Sequence, residues 1–506
     1  MFKFLRRLLI AVAVLFVTVT AVAVYGLQDP NRFKPQLESV IAAQSGVPLK
    51  INGDLAWRLW PPISLRAEDL SADYQGQDWQ VGRLTLDLDA WNTIRHPDRW
   101  QVQALTVNDL IMRERGAVLT VDTATLAGIT PNRPAPVNAR LTYAASADSP
   151  ALPLDLDGRI TVDPEQLTMK LDQTRFETDD GAGVCSLDAR PVANPAPTPP
   201  ATDDDVIPVA VLKSFTWKGE CALDWVRFDD KRFERVLVDF ANESGAATVA
   251  VRAPEFFGGE ALGDVAIDAN ATPVRWTLTP TLSNVDSRAL LEWLDQRFAW
   301  AAPLAYGGRL TLEGNTADAM LESLSGETRF DGGKGRIDIS AIRTELIDLA
   351  GRFNEAERIR GWPEQWDYQR FVGTWRIDRQ HHVLDMALDN LTLAAEGDYQ
   401  PASDRLDMLV ELTFGKDPAW PVFDVPPLLY DLPIPLRCQG SAAEPECRID
   451  PDAAQRLVAR AVSGSDPELR SKLEQTIDEQ VPEQYRDAAR ALLEALGRSQ
   501  PAAEPQ

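Results

Sequence analysis

A mainly β fold is predicted, built on a long antiparallel sheet whose two faces differ in polarity, with an apolar N-terminal helix and a few peripheral and C-terminal helices. Three observations carry this. From about residue 49, apolar residues recur at every second position through most of the 506-residue chain, the period of strands that are dry on one side and wet on the other. Gly, Asn and Asp punctuate these runs, as hairpin turns require. Ahead of them, Leu8 to Gly26 form a 19-residue uncharged stretch, long enough to cross a bilayer.

Lys3, Arg6 and Arg7 precede that stretch. Ala21-Val22-Ala23 offers a cleavage site, but the apolar part of a cleaved signal runs only about 7 to 15 residues, so an uncleaved anchor over 8–26 is expected. The positive-inside rule keeps residues 1–7 cytoplasmic and exports everything after Tyr25. Asp29-Pro30-Asn31 then opens an amphipathic helix over 29–46, with Phe33, Leu37, Val40 and Ile41 on one face and Gly46 as its stop. This helix is expected near the membrane surface.

The strand pattern follows in two β regions, 47–190 and 209–450. In the first, Leu84, Leu86 and Leu88 alternate with Thr85, Asp87 and Asp89, and Leu152, Leu154 and Leu156 with Asp155 and Asp157. In the second, Leu310/Leu312, Leu384/Met386/Leu388 and Leu406 through Phe414 by twos repeat the pattern. So large an apolar face needs a cover. Helices at Ser287–Ala299 and Ala341–Arg360 are legible but too small to supply it, and those in 451–506, which end in a polar tail, look peripheral. Between the regions, residues 191–208 form a Pro-rich linker too polar to pack.

Export permits disulfides, and the four cysteines suit an oxidising compartment. Cys438 and Cys447 lie in phase with the apolar faces of two short strands, so a hairpin sets them opposite one another. Cys185 and Cys221 flank the Pro-rich linker, and a bridge there clamps its base.

No constellation of catalytic residues emerges, and no enzymatic activity, cofactor or metal is expected. The 76 acidic and 51 basic residues leave a net charge of -25, which argues against nucleic acid as a partner. Of three histidines, His96 precedes a proline, and His381 and His382 are adjacent, so in a strand they point to opposite faces; all read as surface side chains. Nucleophile-elbow, Walker, zinc-protease and dinucleotide-binding motifs are absent. Asp87/Asp89 and Asp155/Asp157 occupy the polar phase of alternating strands, where acids keep a sheet soluble. The run Asp331 to Arg336 reads as a turn entering a strand, because no helix follows to hold phosphate. Trp57 and Trp60, beside Pro61-Pro62, read first as core.

The order of Asp29-Pro30-Asn31-Arg32-Phe33, Ser45-Gly46-Val47-Pro48-Leu49, Gly53-Asp54-Leu55 and Trp57-Arg58-Leu59-Trp60-Pro61 after a basic-flanked anchor resembles the N-terminus of AsmA proteins. Phe256-Phe257-Gly258-Gly259-Glu260, Asn284-Val285-Asp286, Gly308 to Gly314 and Leu432-Pro433-Ile434-Pro435-Leu436 extend the likeness. The resemblance implies a long curved antiparallel β-sheet forming an elongated hydrophobic groove, as in bridge-like lipid transfer proteins. With about 20 to 25 strands at roughly 4.8 Å each, such a groove would be on the order of 100 Å long. It further implies inner-membrane anchorage, a periplasmic body, and phospholipid acyl chains as the occupants of the apolar face. Leu310, Leu312, Leu384, Met386, Leu388, Met408, Val410 and Leu412 are the expected lining. An outer-membrane or assembly-machinery partner is the other expectation, with the protein as a scaffold for outer-membrane protein assembly.

Overall fold

The computed structural model describes residues 30–449 except 46–47, 59–62, 75–76, 90–101, 115–116, 131, 145–150, 164–165, 167, 194, 196–201, 203, 297–298, 341–342, 345, 348–355, 417–429, 432 and 442–444, together with 471, 474–475, 478 and 486. The expected anchor with Lys3, Arg6 and Arg7, Trp60, His96 and most of 451–506 lie outside the described residues. Among the described residues, no helix is long and apolar enough to cross a membrane.

The chain is mainly β, with 23 strands in a large antiparallel sheet and three in a small one. It divides into two units, with the division falling inside β14 (Gly259–Asp268). In the first unit, β1 (Leu49–Ile51) and β2 (Leu55–Arg58) share one edge of β3 (Ile63–Tyr74). A meander follows in which each strand pairs with the one before: β4 (Gln77–Leu88), β5 (Val102–Glu114), β6 (Ala117–Ile129), β7 (Ala135–Ala144), β8 (Leu152–Asp163), β9 (Thr168–Thr178), β10 (Gly181–Pro191), β11 (Phe215–Phe228), β12 (Lys231–Glu243) and β13 (Ala246–Phe256). The Pro-rich stretch therefore does not separate two β regions. It is the excursion of one long hairpin, because β10 and β11 on either side of it pair along their lengths.

The amphipathic helix begins as a 3-10 turn at Pro30–Phe33 and continues over Lys34–Ser45. Its apolar stripe packs on the sheet: Leu37 and Ile41 are buried in one cluster with Leu55, Leu65 and Leu86. Two polar side chains tie it to the first strands, where Glu38 Oε1 accepts from Ile51 N at 2.7 Å and Asn31 Oδ1 from Leu55 N at 2.9 Å. Edge amides that water would otherwise satisfy are thus capped by the chain itself.

In β3 to β6 the alternation slips at one common level. Glu68-Asp69, Gly82-Arg83, Asn108-Asp109 and Asp122-Thr123 each insert one residue between apolar neighbours, and Asp69, Gly82, Asp109 and Asp122 drop out of the regular pairing. The backbone turns left-handed at Asp69 (φ 49°) and Asp109 (φ 54°), conformations that Asp tolerates better than most residues. β7 has no such insertion, so the mismatch is absorbed as a bulge between β6 and β7.

In the second unit the order is β15 (Arg275–Asp286), β17 (Pro303–Glu313), β18 (Ser325–Asp331), β21 (Phe371–Asp378), β22 (His381–Leu388), β23 (Leu391–Gln400), β24 (Arg405–Phe414), β25 (Ile434–Gly440) and β26 (Pro445–Ile449). The small sheet comprises β16 (Trp300–Ala301), β19 (Gly335–Asp338) and β20 (Gln365–Tyr368). The helix expected from Ser287 runs to Trp293, with Asp286 Oδ1 accepting from Arg288 N and Ala289 N at its start. It stops short of the expected Ala299, and Leu294, the residue that caps its end, is half exposed. In the second helical interruption, Ala356–Arg360 is helical and Ile359 is fully buried.

Candidate functional site

Strand alternation sends every second side chain to one face, and the register lines these side chains up across neighbouring strands. In the first unit one such row runs Leu55, Ala67, Leu84, Val107, Ala124, Ala139, Leu156, Phe176, Gly183, Leu223 and Val236, crossing from β2 to β12. A parallel row passes through Trp57, Leu65, Leu86, Leu105, Leu126 and Val137.

Burial changes along these rows. Leu55, Ala67, Leu84 and Val107, like Leu65, Leu86 and Leu105, are buried beneath or beside the N-terminal helix. From β6 onward Ala124, Leu126, Val137, Ala139, Leu156, Phe176 and Leu223 are only half-buried, although they occupy the same face. Towards one end of β11 to β13, the helix Val209–Ser214 lays Leu212 against Ala247 and Ala269. Asn242 fixes it, donating to the carbonyls of Leu212 at 2.8 Å and Phe215 at 2.6 Å. Between the two helices, no helix among the described residues lies over the half-buried positions of this face.

The Cys185–Cys221 disulfide lies on this face between directly opposed residues of β10 and β11, with Cα atoms 4.1 Å apart. Cys438 and Cys447 are bridged in the same way between β25 and β26, at 4.0 Å. Both expected pairings are present.

The eight expected lining residues belong to the second unit, and the register places all of them on its apolar face. Their surroundings differ from those in the first unit. Leu312, Leu388, Val410 and Leu412 are buried, whereas Leu310, Leu384, Met386 and Met408 are half-buried. The segment between β18 and β21 packs on this face: Ile339, Leu346, Ile359, Trp362 and Tyr368 share one core with Leu388, Leu391, Leu412 and Phe414. The rings of Trp362 and Phe414 lie 6.1 Å apart. Tyr368 OH donates to Gly332 O at 3.2 Å and accepts from Trp300 Nε1 at 2.6 Å, so the inserted small sheet is pinned where it covers the strands.

A cavity of about 850 Å³ in this unit is lined by Thr374, Asp385, Ala394, Glu411 and Thr413 from the outward phase and by Phe330, Met386 and Leu393 from the apolar phase; of the eight expected lining residues it includes Met386 alone. The outward phase also carries ion pairs such as Arg376–Asp385 and Arg437–Asp407, and in the first unit Arg140–Asp155. Exposed pairs of this kind contribute little to stability; they keep the outer face wet.

His381 and His382 do point to opposite faces. His381 is exposed between Glu396 and Asp398, at 3.3 Å from each. His382, expected at the surface, is buried on the apolar face. There its Nδ1 accepts from Trp375 Nε1 at 3.1 Å, and burial holds its pKa below the usual histidine value. Asp389 is also buried, accepting from Gln369 N and Arg370 N, and burial raises its pKa. Both read as packing details of hairpins. Among the described residues, no group of three or more His, Cys, Asp or Glu side chains is arranged to hold a metal ion.

The family model described as AsmA family matches residues 1–81, the part that includes the capping helix and the first strands. Protein AsmA of Escherichia coli (strain K12) is 34% identical over 74 residues, which cover 15% of this chain and 12% of that protein. The matched stretch is thus a small part of the relative's length. No solved structure matches the chain.

Proposed function

This chain is an AsmA-family protein through its first 81 residues, and on that premise we propose that it carries phospholipid along the apolar face of its sheet, between the inner and outer membranes, from an inner-membrane anchor. One observation carries the reading. A continuous apolar face crosses the first unit from β2 to β12, and along its middle Ala124, Leu126, Val137, Ala139, Leu156, Phe176 and Leu223 are half-exposed, with no second layer over them among the described residues. Water against so broad a strip is unfavourable by roughly 25 cal/mol for each Å². Acyl chains relieve that, each buried methylene contributing about 0.8 kcal/mol, while headgroups remain solvated. The transfer involves no bond cleavage and needs no cofactor.

Photo-crosslinking tests this. A photoreactive residue at Leu156 or Phe176 is expected to capture phospholipid well above the outward controls Asp155 and Arg175. Equal capture at the two phases counts against the reading. In the second unit the same experiment at Met408 is expected to give weaker capture than at Leu156, because the inserted segment occupies part of that face.

A further inference from the structure

The open stretch of the first unit has two long rims, formed by the two ends of its strands, and they are built differently. At the rim holding the β6–β7 and β8–β9 connections, the apolar face is closed: Ile129, Ala135, Ile160 and Met169 are all buried. At the rim holding the β7–β8 and β11–β12 connections, it runs out into water. Tyr143 is in register with Leu119 and Leu152 on the apolar face and is 46% exposed. Phe228, one alternation beyond Val226 on that face, is 58% exposed, the largest value among the exposed large hydrophobic residues. Its hairpin tip carries Arg227, Lys231 and Arg232 together with Asp229 and Asp230; Arg227 is held by Asp180, Lys231 pairs with Asp230, and Arg232 pairs with Glu234 and stacks over Trp225 at 4.4 Å.

We infer that the trough is one-sided: lipid headgroups emerge only along the rim marked by Tyr143 and Phe228, while acyl chains point towards the closed rim at Ala135 and Ile160. The inference rests on the lipid-carrying reading and adds an orientation to it. A lipid lying across the strands must place its polar end in water, and the rim with Tyr143 and Phe228 exposes the largest apolar side chains to it, whereas at the other rim Val162 and Leu171 are no more than half-exposed. Aromatic side chains suit such a boundary, since each presents a large apolar body to the chains, and the tyrosine hydroxyl can donate to ester oxygens. The closed rim would force a headgroup against buried alanine and isoleucine, where its charge has no partner.

The test uses the full chain in phospholipid vesicles with two photoreactive phosphatidylethanolamines, one labelled at the end of an acyl chain and one on the headgroup amine, and maps adducts by mass spectrometry. Head-labelled lipid is expected on the peptides of Tyr143 and Phe228 over those of Ala135 and Ile160 by about tenfold, a ratio equivalent to roughly 1.4 kcal/mol. Tail-labelled lipid is expected at Leu156 and Phe176. The double variant Tyr143→Ala, Phe228→Ala should lower the head-labelled yield at that rim and leave the tail-labelled yield in place. Head-labelled adducts divided evenly between the rims overturn the orientation and leave lipid carriage standing. If neither probe labels the apolar face above Asp155, lipid carriage fails, and the orientation with it.

Discussion

Replacing Leu86 and Leu156 separately by alanine distinguishes a closed apolar face from an open one, because the same atoms are removed from the same face at two places with different cover. Leu86 is 1% exposed, flanked in register by Leu65 and Leu105. Removing its three carbons leaves a void that surrounding strands cannot fill, and such substitutions cost about 2 to 5 kcal/mol, with 3 to 4 expected at so enclosed a site. Leu156, between Ala139 and Phe176, is half-buried. Solvent or lipid can fill the space its side chain leaves, so only part of the transfer energy is lost, about 1 kcal/mol. The expected difference is thus about 2 to 3 kcal/mol. Native-state hydrogen exchange in low urea reads it locally, by comparing amides of β4 in Leu86→Ala with amides of β8 in Leu156→Ala. Added phospholipid should raise the cost of Leu156→Ala and leave that of Leu86→Ala unchanged. If the two costs agree within about 1 kcal/mol without lipid, the face near β8 is as enclosed as the face near β4, and the open trough is refuted.

Three further outcomes follow from the geometry. Replacing Cys185 and Cys221 together by serine frees a loop with a sequence separation of 36, a loss of about 4 kcal/mol by loop-closure entropy; the pair Cys438 and Cys447, with a separation of 9, should lose about 2.5 kcal/mol, and urea midpoints of the two variants give the order. Asp389 has a raised folded pKa, so its carboxyl contributes stability fully below the unfolded pKa and loses it as pH rises through the folded value. Asp389→Asn should therefore be stabilised relative to the parent at pH 7, with the advantage disappearing near pH 3, as read by thermal melts. Asp286→Ala removes the oxygen that accepts from Arg288 N and Ala289 N; about 1 kcal/mol should be lost in the helix Ser287–Trp293, measured as faster amide exchange there.

The alternation of apolar and polar residues made the sheet legible, and the phase of Cys438 and Cys447 made their bridge legible, because strand period and cross-strand distance are fixed by backbone geometry; the Cys185–Cys221 bridge was legible from the two cysteines' places on either side of the Pro-rich stretch. Several features carried no such signal. Strands of two to four residues, as in β16 and β20, are too short to show a period, so although the strand entered from Asp331 to Arg336 was legible and is β19, the small sheet it forms with them over Leu412 and Phe414 was not. The stripe Leu37/Ile41 shows an amphipathic helix and leaves its partner unstated; burial in the cluster of Leu55 and Leu86 supplies it. The pairs Glu68-Asp69 and Asn108-Asp109 hold extra residues inside long strands, a role their composition alone does not mark. Burial of His382 follows from the proximity of Trp375 across β21 and β22, a tertiary fact. Above all, alternation says which face is oily and is silent on what lies over it. The open positions Leu156 and Phe176 and the covered positions Leu388 and Leu412 are written in the same pattern.

The matched extra residues of β3 to β6 impose a counting rule on this part of the molecule. Because each strand carries one spare residue at the same height, their side chains keep step on both sides of that line, as teeth do in meshed gears. Losing Asp109 alone would throw half of β5 out of step: either Leu105 and Val107 or Leu110 and Met112 would rotate into water, and polar neighbours would replace them beneath the helix. Single-residue deletions there should be far more harmful than removal of a whole hairpin, and sequences that shorten or lengthen this region are expected to do so two strands at a time.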